Sequence, residues 1–237
     1  MVKGPVSRKQ LLKEPDQFIT FSGKMIAFGR SHSKSILIVT GVILALLLVL
    51  VSTRQIANRN ELRASEQVEK AMAKYAAALS ETDPEEAYVQ VKDDFASIFD
   101  KYGSKASGKL ARILYGDVSY AAKDADTAID MYSTALEAYE QAPAIKNIVL
   151  SRLSHAYLLK KEDQKAIQTF ERISAGEETT MKYEALFNLA LLYETAGDKE
   201  KSAALFEQLQ TDFPTNMYSD LVKEKISGQR TGETVGT

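Results

Sequence analysis

Residues 183–214 read YEALFNLALLYETAGDKEKSAALFEQLQTDFP. Leu186, Leu189, Ala190 and Tyr193 fall at i, i+3, i+4 and i+7, one stripe of an α-helix. Gly197-Asp198 breaks that helix, and Ser202, Phe206 and Leu209 resume a stripe on a second one, closed by Pro214. Small residues stand where the two helices must approach closely, and Phe206 stands where the next pair must be plugged.

The same grid repeats. Leu150, Leu153, Ser154, Tyr157, Ala166, Phe170 and Ile173 hold the equivalent places 36 positions earlier. Before them Ala128, Tyr132 and Ala135 match a second helix, with Gly116 at the close-packing position of the first. Tyr132 lies 38 residues before Phe170, and Phe170 lies 36 before Phe206, slightly above a period of about 34. This resembles the tetratricopeptide pattern, with Leu186 where the pattern most often has Trp and Ser202 where it has Ala. The reading predicts an all-α fold: a tetratricopeptide-like solenoid of helical pairs. Its repeat-defining core is Tyr132, Leu153, Tyr157, Ala166, Phe170, Leu189, Ala190, Tyr193 and Phe206, with the Tyr193 ring buried between pairs.

Composition narrows the function classes. The 237 residues contain no Cys, which excludes a disulfide framework, Cys-ligated zinc and a lipoprotein anchor. Residues 1–59 hold nine Lys/Arg against Glu14 and Asp16, leaving 21 basic against 30 acidic residues in the remainder. A basic leader joined to an acidic body argues against nucleic-acid binding by the body, because phosphate contact wants the opposite sign.

Ile36 to Val51, ILIVTGVILALLLVLV, carries no charge, and with Ser35, Ser52 and Thr53 the run reaches 19 residues. At ~1.5 Å per residue it covers about 28 Å, close to the ~30 Å of bilayer hydrocarbon. The reading takes it as an uncleaved signal anchor. A cleaved signal peptide is disfavoured by the 34 residues ahead of it and by the lack of an A-x-A-like site after Val51. Lys24, Arg30 and Lys34 on one side face Arg54, Arg59, Arg63 and Lys70 on the other. Near charges therefore do not settle orientation, and the short leader favours a cytoplasmic N-terminus with the repeats outside. Within the leader, Pro15-Asp16 marks a helix start. Phe18, Phe21, Met25 and Phe28 then form an amphipathic stripe for the membrane surface or for a partner helix.

Four segments follow: a basic leader at 1–34, the anchor at 35–53, the repeat domain at 54–226 and a disordered tail at 227–237. After the anchor, Val68, Met72, Tyr75 and Leu79 share a stripe. Asp83-Pro84-Glu85-Glu86 opens a helix with Tyr88, Val91, Phe95, Ile98 and Tyr102 on its apolar face. These two make a divergent, end-capping first pair. A short helix from Met217 to Ile226 is expected to cover the other end.

Candidates for chemistry are thin. His32 and His155 are the two histidines, with no metal-spaced partner and no gathered glycine loop. The acidic pairs Glu85-Glu86, Asp93-Asp94 and Glu177-Glu178 suit helix starts or solvated faces. The reading expects no catalytic residue, cofactor, metal or small-molecule substrate. It expects instead a protein-binding groove lined by the first helix of each pair, with Ser151, Arg152, His155, Phe187, Asn188 and Leu191 as candidate partner-groove residues.

The order of KEPDQF (residues 13–18), a single anchor, an Ala-rich helix and these repeats resembles the YfgM-type ancillary subunits of the Sec translocon. That resemblance implies a bacterial inner-membrane protein, single-pass, whose repeat domain lies in the periplasm. It further implies partners in a SecYEG-like channel and a periplasmic chaperone. A cell-envelope assembly scaffold and a holdase-type chaperone remain the alternatives.

Overall fold

The computed structural model of the chain describes residues 17–215 and 219–234, and every regular element in them is an α-helix. In order these are α1 (Gln17–Ser31), α2 (Ser33–Leu79), α3 (Pro84–Tyr102), α4 (Ala106–Ala121) and α5 (Ala125–Ala138). There follow α6 (Pro143–Leu159), α7 (Asp163–Ser174), α8 (Lys182–Thr195), α9 (Lys199–Asp212) and α10 (Ser219–Thr234). The expected helix starts at Pro15-Asp16 and Met217 and the last three residues of the tail lie outside the described residues. The chain divides into two compact units, Met1–Arg59 and Asn60–Thr237, and α2 contributes to both.

In the first unit every residue from Ile36 to Val51 is exposed. This is one helix stretch long and apolar enough to cross a membrane. The anchor and the helix expected to begin near Arg59 are a single helix of 47 residues. The intervening STRQIAN, residues 52–58, has neither Gly nor Pro, so nothing interrupts propagation at one hydrogen bond per residue.

In the second unit, consecutive helices pack as pairs and each pair packs on the next. Three apolar clusters carry this. One joins Val68, Ala71 and Tyr75 of α2 to Tyr88, Val91 and Phe95 of α3 and Tyr115 and Val118 of α4. A second runs from Tyr132 through Leu153 and Phe170 to Leu189, and a third joins Leu186, Ala190, Phe206 and Leu209 to Val222 and Ile226 of α10. Each cluster spans a pair and its neighbour, as expected where no pair can bury its own faces alone. On α2 the buried seam is Ala64, Val68, Ala71, Tyr75 and Ala78. Leu79 of the expected stripe is exposed, because the helix ends there. Beyond Ile226, α10 continues to Thr234 where a disordered tail is expected. Val222 and Ile226 anchor its first turns, and the remaining residues extend an existing helix instead of nucleating one.

The turns inside the three later pairs, α4–α5, α6–α7 and α8–α9, are the same device. Asp124, Glu162 and Asp198 donate their N–H groups to Ser119, Tyr157 and Tyr193 carbonyls at 2.9 Å. Lys123, Lys161 and Gly197, at φ 60°, 64° and 83°, donate theirs to Tyr120, Leu158 and Glu194. This is a Schellman motif with its left-handed residue, and the acid that follows heads the next helix. Asp124 and Asp198 accept from the N–H of Thr127 and Lys201, as Asp83 does from Glu86 in the first pair. Only Gly197 announces this geometry in the sequence; Lys123 and Lys161 adopt it at a steric cost glycine avoids.

The close approach within a pair is set by small residues. A Cβ on Gly116 would lie 2.5 Å from Cε1 of Tyr132, whose ring is fully buried. Ser154 and Ala190, Ala128, Ala166 and Ser202 are buried at the matching positions. Leu153, Ala166, Phe170, Leu189, Ala190 and Phe206 are buried as the repeat requires. Tyr157 and Tyr193 are not: both rings are half-buried, packed on the core by one side. Each sits one turn before its Schellman turn, under the ammonium of Lys165 or Lys201 at 5.5 and 4.8 Å, and the Tyr193 hydroxyl reaches out to Glu171 at 2.8 Å.

Urea unfolding of residues 60–237 is expected to show Gly116→Ala lowering stability by about 1–3 kcal/mol through overpacking against Tyr132. Gly197→Ala should cost about 1 kcal/mol, while Lys161→Gly should gain up to about 1 kcal/mol.

Candidate functional site: the face shared by the first helices

The first helices of successive pairs touch, α4 with α6 and α6 with α8. Of the candidate groove residues, Ser151, Arg152 and His155 of α6 make ties across this line of contact. Arg152 of α6 donates from Nε to Asp117 Oδ1 of α4 at 2.7 Å, and the Tyr132 hydroxyl donates to the same oxygen at 2.7 Å. Toward the next pair, Ser151 Oγ donates to Glu184 Oε1 of α8 at 2.9 Å, and His155 Nε2 hydrogen-bonds that oxygen at 2.7 Å. An ionised carboxylate only accepts, so His155 carries its proton on Nε2. The imidazole stands edge-on to Phe170, with ring centroids 5.5 Å apart. Further along, Lys225 of α10 bonds Glu194 of α8 at 2.8 Å.

These contacts give the polar candidates a structural reason to be on this face. Ser151 is buried, 3% exposed, whereas Arg152 and His155 remain half-exposed beside their acids. Phe187 and Leu191 are half-buried against the third cluster, Phe187 edge-on to Phe206 at 6.2 Å. Asn188 turns its amide back to the Glu184 carbonyl at 2.8 Å. The exposed part of the face is therefore mixed: guanidinium, imidazole and amide edges beside partly covered apolar rings.

Several participants were not singled out from the sequence. Glu184 gathers two side chains from the neighbouring pair, and Asp117 gathers Arg152 from the neighbouring pair and Tyr132 from its own; their signal is an acid roughly one period from Arg152 or His155. Glu61 of α2 accepts from Ala106 N–H, Ser107 N–H and Ser107 hydroxyl at 3.0, 2.7 and 2.6 Å. It thereby caps α4, whose own cap position, Lys105, supplies no side-chain acceptor. Asn147 of α6 reaches the Glu178 and Thr180 carbonyls at 3.3 and 3.1 Å, pinning the approach to α8. The acidic pairs have local duties: Glu85 bridges Lys123, Asp94 bridges Lys74, and Glu178 accepts from Thr180. A cleft of about 720 Å³ opens between the end of α5, the start of α6 and the α7–α8 loop, lined by residues including Glu140, Lys146, Asn147, Arg172 and Glu178.

The ties are electrostatically consistent. The His155 hydrogen bond, opposed by burial and helped by Ser151 and the nearby positive groups, holds the Glu184 carboxyl below its ordinary value of 4.5. Burial, with the Asp117 charge beside it, pushes the Tyr132 hydroxyl well above the phenol range, so it stays a donor. A depressed carboxylate contributes stability above pH 4.5 and loses it as pH falls through the folded-state value. Glu184→Gln should therefore cost about 1 kcal/mol at pH 7, the worth of a charge-assisted bond reduced by partial exposure. It should also flatten the acid limb of a stability-against-pH curve below pH 4.5, measured by urea unfolding at each pH.

Comparison with known proteins fits this geometry. Residues 184–216, the α8–α9 pair and its exit, match the tetratricopeptide repeat model. No curated protein matches the sequence. Among solved structures, a tetratricopeptide repeat protein from Parabacteroides merdae superposes with a TM-score of 0.55 at 14% identity, covering 70% of this chain and 61% of its own. This chain thus spans less than two thirds of that protein's length. The nearly identical TPR-like repeats named for a kinesin light chain of Podosopora anserina give a TM-score of 0.55 at 15% identity, covering 74% of this chain and 89% of theirs. The chain is an all-α stack of tetratricopeptide-type helical pairs with a long apolar helix near its N-terminus.

Proposed function

We propose that this chain is a membrane-tethered protein-interaction scaffold: Ile36–Val51 spans a bacterial inner membrane, the N-terminus is cytoplasmic, and the helical pairs face the periplasm. The observation that carries this reading is the coexistence in one chain of a fully exposed, uncharged 16-residue helical stretch and a stack of paired helices. An exposed surface of that size and apolarity is costly in water and is relieved in hydrocarbon. Among the described residues the pairs gather no group of His and acidic side chains that could hold a metal ion, and they supply an extended face of half-exposed polar edges and rings, suited to another polypeptide. The resemblance carried by KEPDQF, the anchor and the repeats supports a more specific role: an ancillary subunit at the Sec translocon that brings a periplasmic chaperone to emerging chains. Arg152, His155, Asn188 and Leu191 are the residues through which such a partner would be held.

The test is photo-crosslinking in native membranes from probes at Arg152 and Asn188 in the full chain, combined with alkaline carbonate extraction. Retention in the membrane pellet with crosslinks to a channel subunit or a periplasmic chaperone is the expected outcome. Crosslinks confined to envelope-assembly proteins would move the assignment to that class, and crosslinks spread over many unfolded chains would move it to a holdase. Release of the chain by carbonate would remove the tether from the account.

A further inference from the structure

We infer that α1 is an interfacial helix that binds anionic lipid headgroups next to the membrane span; this rests on the reading of Ile36–Val51 as that span. The helix ends on the bond from His32 N–H to the Phe28 carbonyl, and α2 begins on the bond from Ile36 N–H to the His32 carbonyl. His32 is the shared joint. Ser31, the last residue of α1, stands five residues before the first residue of the apolar run. A 15-residue helix is about 22 Å long, so attachment through one joint keeps all of α1 within that distance of the headgroups.

Its surface fits that place. Phe21, Met25 and Phe28 fall at i, i+4 and i+7 on one face and are 61–63% exposed. Lys24 and Arg30 are exposed on the remaining arc with Ala27 between them, and Lys34 follows just beyond the joint. There is no acidic residue in α1. An apolar face with one cation, Lys24, at its border and another, Arg30, opposite is the pattern of a helix lying in the interface, its rings among the upper acyl segments and its long ammonium and guanidinium arms reaching phosphate level. Two forces act together here, apolar burial and attraction to a negative leaflet surface, and the span already holds the helix where both operate.

The experiment uses the absence of cysteine, which makes any introduced thiol unique. Full-length Met25→Cys, Ala27→Cys and Leu44→Cys proteins are reconstituted in nanodiscs of phosphatidylcholine alone or with phosphatidylglycerol, and labelled with a membrane-impermeant maleimide. In the anionic discs, Met25→Cys is expected to react at least about tenfold more slowly than Ala27→Cys, with the gap narrowing in neutral discs. Adding Lys24→Gln and Arg30→Gln to Met25→Cys should narrow it likewise. Equal rates at 25 and 27 in anionic discs, with Leu44→Cys protected, would overturn the inference while leaving the span intact. A gap of the same size in neutral discs would overturn the anionic preference. Protection of Met25→Cys in native membranes but not in discs would assign the face to a protein. Fast labelling at Leu44→Cys would sink the span reading itself, and the inference with it.

Discussion

The Tyr132 ring lies where a side chain on Gly116 would stand, and that exclusion is the constraint on which the stack depends. Two helices of a pair come close enough only if one presents almost nothing at the crossing. The ring then fills the volume behind, and its hydroxyl is carried out to Asp117 instead of being stranded in the core. Phe170 and Phe206 repeat the filling without the hydroxyl, and Ser154 and Ala190 are buried at the positions matching Gly116. Once this contact is made, the outer side of each pair is apolar, and the next pair must cover it.

A second layer of interactions fixes how the pairs are turned relative to one another. Apolar contact is not directional, so burial alone leaves neighbouring first helices free to slide. The bonds of Arg152 to Asp117 and of Ser151 and His155 to Glu184 are directional, and each joins one pair to the next. Glu61 does the same at the start of the stack, replacing the cap that Lys105 cannot give, and Lys225 with Glu194 does it at the end. The half-exposed face proposed for a partner is built from the same groups that align the pairs.

The two units place opposite demands on the chain. In the second, apolar side chains are used up by neighbouring helices, and those left exposed, such as Leu62 and Val89, are single. In the first, sixteen consecutive uncharged positions and the rings of Phe21 and Phe28 have no such cover. The absence of a helix breaker between Ser52 and Asn58 lets one helix contribute to both.

The spacing of Leu, small and aromatic residues over 150–209 was enough to determine the helical pairs, their period and most of their core, because a helix with one apolar stripe has few ways to be covered. The uncharged run and the charge split were likewise plain in the chain. Only the tertiary structure decided the outward tilt of Tyr157 and Tyr193 and the pairing of Arg152, Ser151 and His155 with Asp117 and Glu184, because these depend on residues of other helices; the left-handed turns at Lys123 and Lys161 and the continuation of α10 are local, but no residue type there marks them. A charged residue on a helix face looks the same whether it awaits a ligand or holds the next pair. The distinction exists only when an acid about one period away is brought within hydrogen-bonding distance.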